Sequence, residues 1–234
     1  MPVRFSAVVP CYNEEGNLPR LFSRFAETLA PGCEVIFVDN GSTDGTARVL
    51  ETLLPRYPFS RVVSLSENKG YGAGILSGLK SAEGEFLGWT HGDLQCDPAD
   101  FSLAVSLAEK NGLRRDLFIK GLRRGRPFSD GFFTVAMAAF ESVYLRLPLW
   151  DVNAQPCLFH RAFFEAWPPA PQDFSLDLFA LALALKKKSE IIRFPVSVSP
   201  RAAGYSSWNS GFFSRASLIR RTIASGARIK REIS

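Results

Sequence analysis

What most constrains the fold of this chain is a regular alternation, from residue 6 to residue 97, of short apolar runs and helical segments. Ser6–Pro10 is an apolar run stopped by a proline. The segment Leu18–Leu29 follows with apolar residues at 18, 21, 22, 25 and 29, the spacing of a helix with one buried face. Glu34–Val38 is almost wholly apolar, as expected of a strand covered on both faces. A helix running to about Leu54 comes next, with Asp44 as its natural N-cap. Arg61–Leu65 is a third strand, Asn68–Gly74 opens a helix that runs to Ser81, and Glu85–Thr90 is a fourth strand. Strands and helices in this order predict an α/β fold with a mostly parallel sheet, right-handed crossovers and a Rossmann-like first half. Such sheets bind ligands beyond the carboxyl ends of their strands. The polar segments Cys11–Asn17, Asp39–Gly45, Asn68–Gly74 and His91–Asp97 each follow a strand's carboxyl end. They therefore point to one site.

The pattern is less regular further on. Helices are expected at about Pro98–Asn111, 132–147 and 172–188, and strands at Asp116–Lys120 and Ile191–Val198. A basic, glycine-containing loop, Gly121–Gly131, lies between, and the tail from about Phe212 reads as a helix. No repeat or low-complexity linker interrupts the chain.

With 234 residues, 46% of them hydrophobic and 22% charged, the chain can bury a core without staples. It has no apolar run of about 18 residues and no signal-peptide layout, so a cytoplasmic location without a transmembrane helix is expected. Cysteines at 11, 33, 96 and 157 make no CxxC pair and read as reduced, packed thiols rather than a zinc or redox site. The net charge of +5 is uneven, because residues 201–234 carry seven Arg or Lys and one acid. A basic end suits a membrane surface, a nucleic acid or an anionic substrate. With no RNA- or DNA-binding motif present, a nucleic-acid partner is not expected.

The chemistry-bearing residues cluster after the fourth strand, where Asp93, Gln95 and Asp97 alternate. Mg²⁺ and Mn²⁺ take oxygen ligands, commonly one or two carboxylates completed by substrate phosphates. Asp97 precedes Pro98 and reads as a helix cap, whereas Asp93 has no such structural task. Gln95 offers a neutral oxygen or faces solvent. His91 is one of two histidines; it is either a hydrogen-bonded structural residue or a contact to metal, ribose or phosphate. Its counterpart, His160, reads as structural. Arg123, Arg124 and Arg126 share a loop, and guanidinium forks suit phosphate oxygens. Arg126 reads as surface charge, Arg123 and Arg201 as phosphate partners.

Pro10-Cys11-Tyr12-Asn13-Glu14-Glu15 resembles the opening motif of family 2 glycosyltransferases, which have the GT-A fold. Val38–Thr46 is similar to that family's VDDGSxDxT motif, and Asn68-Lys69-Gly70 to its third. Asp93-Leu94-Gln95 with Asp97-Pro98 is close to the DADLQxxP segment of the dolichyl-phosphate mannose synthase, or polyprenyl-phosphate, branch. Gly121-Leu122-Arg123, Asp151–Arg161 and Arg201–Ser206 resemble later motifs of the same branch, so the resemblance spans about Val3 to Trp208. It departs twice: His91 stands where the family has aspartate, and Ala154–Leu158 replaces a Ser-Gly-Phe-Arg element near the sugar or acceptor pocket.

The resemblance implies a catalytic domain over 1–208, with a nucleotide-sugar half at 1–97, an acceptor half at 98–208 and an appended basic amphipathic helix at 209–234. Pro10, Tyr12 and Glu14 would border the base and ribose, and Asp39 would bind one of them. Asn68 and Lys69 would lie near the nucleotide, although Lys69 reads equally as a solvated charge and Glu14 as a first-turn helix acid. Asp93 and Gln95, with His91, would hold Mg²⁺ or Mn²⁺ against the donor diphosphate. The reaction implied is inverting transfer from a nucleotide sugar to a polyprenyl phosphate, charge on the leaving diphosphate being met by the ion, Arg123 and Arg201. If the acceptor is instead a glycan hydroxyl, a base is needed, and Asp177 is the candidate, although its place at a helix start suits capping equally. A third reading, prompted by His91, is a nucleotide-sugar-binding protein without turnover. The basic tail, with Phe212, Phe213, Leu218, Ile219 and Ile223 among its arginines, suits peripheral contact with the cytoplasmic face of a membrane or packing on the domain.

Overall fold

The computed structural model describes residues 2–124, 139–198 and 226–232. Arg126, Arg201 and most of the tail from Phe212 lie outside the described residues. The elements are β1 (Phe5–Cys11), α1 (Leu18–Thr28), β2 (Cys33–Asn40), α2 (Thr46–Leu53), β3 (Ser60–Leu65), α3 (Tyr71–Ser81), β4 (Phe86–Trp89) and α4 (Ala99–Lys110). They continue with β5 (Leu117–Arg124), α5 (139–145), β6 (Cys157–His160), α6 (Arg161–Glu165), α7 (Leu176–Lys186), β7 (Glu190–Ser197) and α8 (226–232). No helix among the described residues is long and apolar enough to cross a membrane.

Among the described residues seven strands form one sheet in the order β3-β2-β1-β4-β6-β5-β7. Every neighbouring pair is parallel except those made by β6, which runs antiparallel to both β4 and β5. Helices cover both faces, so successive strand residues enter different cores. In β1, Ala7 and Val9 join a cluster with α1 and α4, whereas Val8 joins one with α3 and α7. The run Leu176–Ala184 of α7 is buried on every side, as expected of a helix without a polar face. Close approach of α3 to the sheet depends on Gly78, where a Cβ would lie 2.4 Å from Val8 Cγ1 and 2.9 Å from Val38 Cγ2.

Three expectations are corrected. First, β5 does not end at Lys120: Gly121–Arg124 continue it, because β7 pairs alongside as far as Arg124↔Ser197. Arg123 and Arg124 therefore sit on a strand end, not in a loop. Secondly, β6 was not foreseen, since Cys157–His160 is four residues long and gains its hydrogen bonds only by insertion between β4 and β5. Thirdly, α7 begins at Leu176 rather than 172, because Asp173 turns the chain by accepting the Ser175 N–H at 2.9 Å. At α2 the N-cap residue is Gly45; Asp44 still contributes, accepting the Thr46 N–H at 2.9 Å.

Candidate functional site

The loops after β1 and β2 are laced together. Asn13, held at φ 57°, donates its backbone N–H to Ser42 Oγ (3.1 Å), and its Oδ1 accepts the Thr43 N–H (2.8 Å). The Glu14 N–H is donated to Thr46 Oγ1 (2.8 Å), and the Gly45 N–H to Glu15 Oε2 (2.8 Å). Asp39 is buried and accepts the Ser42 N–H at 3.0 Å, which fixes its carboxylate at the end of β2. Glu14 is buried as well. Burial pushes the Cys11 thiol well above its ordinary value, and the charges of Glu14 and then Asp39 add to that push. Both carboxylates thus act on one point beneath the first loop. Tyr12 is exposed and Pro10 half-buried on the same rim.

Asn40 joins the third loop to these two. Its amide donates to the Gly70 carbonyl (3.0 Å) and Asn68 Oδ1 (3.3 Å), and its Oδ1 accepts the Lys69 N–H (3.2 Å). Asn68 also caps the Gly70 N–H (2.9 Å). Asn68 is thus occupied in shaping its loop, while the Lys69 side chain is exposed.

After β4, Leu94 takes φ 58° and turns the chain, so that Asp93 Oδ1 accepts the Gln95 N–H at 3.1 Å. Asp93 is only 6% exposed, while His91 and Gln95 are partly exposed. The N-cap residue of α4 is Pro98 rather than Asp97, but Asp97 still contributes: its Oδ1 accepts the Ala99 N–H (2.9 Å), and Arg24 binds both its oxygens (2.9 Å each). The Arg24 hydrogen bond is the main reason its carboxyl titrates below the usual range.

Arg123 comes from the opposite side of the sheet's carboxyl edge. Asp151, at φ 41° in the αL region, accepts the Arg123 backbone N–H (2.7 Å) and its guanidinium Nε (2.7 Å), with Nη2 also in contact. Burial pushes the Cys96 thiol up to about 12, followed by the charges of Asp100 and Asp93, with Arg123 opposing and Asp151 reinforcing. The Arg123–Asp151 pair is therefore within electrostatic reach of the segment that carries Asp93. Asp151 opens the Asp151–Arg161 stretch that resembles a family motif, but its pairing with Arg123 across 28 positions is visible only in the fold.

Asp177 lies deeper. It is 3% exposed; its Oδ2 accepts the Tyr71 hydroxyl (3.0 Å), its Oδ1 accepts the Trp89 indole N–H (3.3 Å), and Lys120 Nζ is 3.9 Å away. Its place in the first turn of α7 goes with no side-chain cap bond at that helix. His160 accepts the Ala162 N–H at 3.0 Å and is structural, as read from the sequence.

No group of three His, Cys, Asp or Glu side chains suited to a metal ion occurs among the described residues. The donor set His91, Asp93 and Gln95, one imidazole, one carboxylate and one amide oxygen within five residues, fits the other mode. In that mode the protein supplies few ligands and substrate phosphates complete the shell.

A parallel sheet with one antiparallel insertion, whose strand ends gather carboxylates and an anchored arginine, defines a GT-A-type nucleotide-sugar fold. The chain belongs to the family described as "Glycosyl transferase family 2", whose profile matches residues 6–134. Among curated relatives it is 34% identical over 147 residues to a dodecaprenyl-phosphate galacturonate synthase of Rhizobium johnstonii, covering 61% of this chain and 42% of that one. It is 34% identical over 110 residues to an undecaprenyl-phosphate 4-deoxy-4-formamido-L-arabinose transferase of Shewanella sediminis, covering 45% and 33%. The matched part spans less than half the length of these relatives. A solved glucosyl-3-phosphoglycerate synthase of Mycobacterium tuberculosis, in complex with Mn²⁺, UDP and glucosyl-3-phosphoglycerate, superposes at TM-score 0.70 with 19% identity. That match covers 97% of this chain and 80% of the other. A Pyrobaculum calidifontis mannosyltransferase with GDP-mannose and Mn²⁺ gives 0.68 with 21% identity over 97% and 65%. These likenesses establish the fold.

Proposed function

We propose that the chain is an inverting glycosyltransferase that moves a sugar from a nucleotide-sugar donor to a polyprenyl phosphate, aided by Mg²⁺ or Mn²⁺. The observation that carries this reading is the convergence of Asp39, Asp93 and the Asp151-anchored Arg123 at one edge of the sheet. Asp39 and Glu14, with Pro10 and Tyr12 on the rim, bind the base and ribose. Asn68 shapes the third loop and Lys69 extends towards the phosphates. Asp93 and Gln95, with His91, hold the divalent ion, which when bound neutralises charge on the donor diphosphate. Arg123, aligned by Asp151 before substrate arrives, supplies fixed positive charge to the departing phosphate. Arg201 is assigned the same task on the strength of its motif.

The setting of Asp177 supports a phosphate acceptor. A base must come within hydrogen-bond reach of the proton it removes, and Asp177 is only 3% exposed, with its oxygens facing Tyr71 and Trp89 inside the protein. A phosphate acceptor, already anionic, needs no base. The names of the curated relatives support the same class. A glycan-hydroxyl acceptor served by Asp177 finds no supporting observation, and a non-catalytic binder rests on His91 alone.

We place the chain at the cytoplasmic face of a membrane. In α8, Ile229 is buried while Arg228, Lys230 and Arg231 are exposed, with Lys230 Nζ 4.9 Å from the Tyr144 ring centroid. Such outward cations suit anionic lipid.

The test is donor binding followed by transfer. UDP- and GDP-sugars are screened with and without Mn²⁺ by thermal shift, since a ligand of the native state raises the melting temperature by mass action. The donor found is then incubated with undecaprenyl phosphate. A metal-dependent shift abolished by Asp93→Ala, with sugar transferred to the lipid, is expected. A shift indifferent to metal and to Asp93→Ala refutes the site, and turnover only with glycan acceptors refutes the acceptor class.

A further inference from the structure

We infer that Asp177 is a positioning residue, the buried point from which the separate segments of the glycosyl-transfer site are set relative to one another; this rests on the donor-binding reading above. Among the described residues, its contacts, with Gln155 joining through Tyr71, reach the segments that carry Lys69, His91 to Gln95, Arg123 and Asp151. Tyr71, which donates its hydroxyl to Asp177, is the first residue of α3 and stands two positions after Lys69. Trp89, which donates its indole N–H, ends β4 two positions before His91 and four before Asp93. Lys120, whose charge faces Asp177, precedes Arg123 by three positions on β5. Gln155 donates its amide to the Tyr71 oxygen and follows Asp151, the anchor of Arg123, by four positions.

The chemistry of the cluster fits this task. The Tyr71 hydroxyl gives its one proton to Asp177, so its oxygen can only accept, and the Gln155 NH₂ must face it. That orientation leaves Gln155 Oε1 buried without a hydrogen-bond partner among the described residues. Lys120 is 1% exposed; burial lowers its pKa, the Asp177 charge opposes that shift, and its ammonium donates to the Ala154 carbonyl at 2.6 Å. A buried ion pair of this kind is commonly replaceable by apolar side chains without loss of stability. Keeping it, and an unsatisfied amide oxygen beside it, is the mark of directional requirements rather than of stability. The backbone adds to the clamp: the Ala73 N–H is donated to the Gln172 carbonyl (2.9 Å), and a Cβ on Gly72 would lie 2.7 Å from the Asp173 carbonyl oxygen. The start of α7 is thereby seated on the start of α3.

The experiment compares Tyr71→Phe, Asp177→Asn and the double variant Lys120→Met with Asp177→Leu. UDP-glucose and GDP-mannose with Mn²⁺ are the binding probes and undecaprenyl phosphate the acceptor. Tyr71→Phe and Asp177→Asn are each expected to raise the donor Kd and KM about tenfold or more, the effect of misplacing binding groups. The two effects are expected to be non-additive when combined, because they act through one contact. The apolar double variant is expected to melt near the wild type yet to bind donor as weakly as Asp177→Asn, so that poor folding of a single variant does not obscure the result. Dependence of kcat on pH between about 6 and 9 is expected to be unchanged in Asp177→Asn. Loss of kcat at unchanged donor Kd, with disappearance of the acid limb of the profile, would make Asp177 the base and overturn the inference. Wild-type donor affinity in the apolar double variant would reduce the cluster to a structural pair and overturn it equally. A wild-type protein that binds neither probe nor any other nucleotide sugar would instead overturn the donor-binding reading on which it rests.

Discussion

Replacing Asp151 by alanine tests how the candidate site is built. The Asp151 carboxylate is buried and takes both the Arg123 backbone N–H and its guanidinium, the Arg123 side chain being only 11% exposed. Asp151→Ala leaves a largely buried cation and a main-chain donor without their acceptor. Breaking a buried pair from one side costs about 3–5 kcal/mol, and partial exposure of Arg123 places this case near the lower end. At this chain length about 3 kcal/mol lowers the melting temperature by roughly 6–12 °C. Asp151→Asn keeps an acceptor for the backbone N–H and tolerates the αL conformation at φ 41°, so about half that loss is expected. Calorimetry or thermal shift on Asp151→Ala, Arg123→Ala and the double variant completes the cycle. The double variant should be no less stable than Asp151→Ala, with a coupling of about 2 kcal/mol. Strictly additive losses would show that the two side chains act independently, and the argument that Asp151 pre-aligns Arg123 would fail.

Arg123→Ala itself is expected to lower kcat roughly 10²–10³-fold in steady-state transfer assays, with a smaller change in donor KM, because it removes preorganised charge at the leaving group. Gly78→Ala places a methyl group against Val8 and Val38; despite better helix propensity it should destabilise by about 1–2 kcal/mol in urea titrations. Burial raises the Glu141 carboxyl to about 7 from 4.5. The folded state therefore holds its proton longer than the unfolded one, and stability falls as pH rises between those values. Glu141→Gln should raise the melting temperature above pH 7 and give no gain below about pH 4.5. Burial first of all holds Cys11, Cys33, Cys96 and Cys157 above the ordinary thiol range. At pH 8 a disulfide reagent should label all four only as the chain unfolds.

The first half of the fold was legible because its strands are continuous apolar runs and its helices carry regular spacing; β1 to α4 fall where that periodicity puts them. What was illegible depends on partners distant in sequence. Cys157–His160 is a strand because β4 and β5 flank it, and Gly121–Arg124 extends β5 because β7 runs beside it. The site divides in the same way. Asp39, Asp93 and Asp97 could be read from strand ends and caps. The partner of Asp151, which the sequence showed only as the start of a motif, and the surroundings of Asp177 could not, since they lie in bonds spanning from 28 to 106 positions. Asp177 shows the limit most plainly: its place in the first turn of α7 is as expected of a charge at a helix start, but its contacts with Tyr71, Trp89 and Lys120 could not be read from that place.

The antiparallel strand β6 also has a consequence for the order in which the chain matures. During synthesis β3, β2, β1 and β4 can pair as soon as residues 5–89 have emerged, but the open edge of β4 then waits for Cys157–His160, some seventy residues later. Until that strand arrives, Phe86–Trp89 presents unpaired backbone groups on an apolar template, the condition that invites association between chains. A nascent chain stalled before residue 157 should therefore depend on chaperones, and one released after β6 should not.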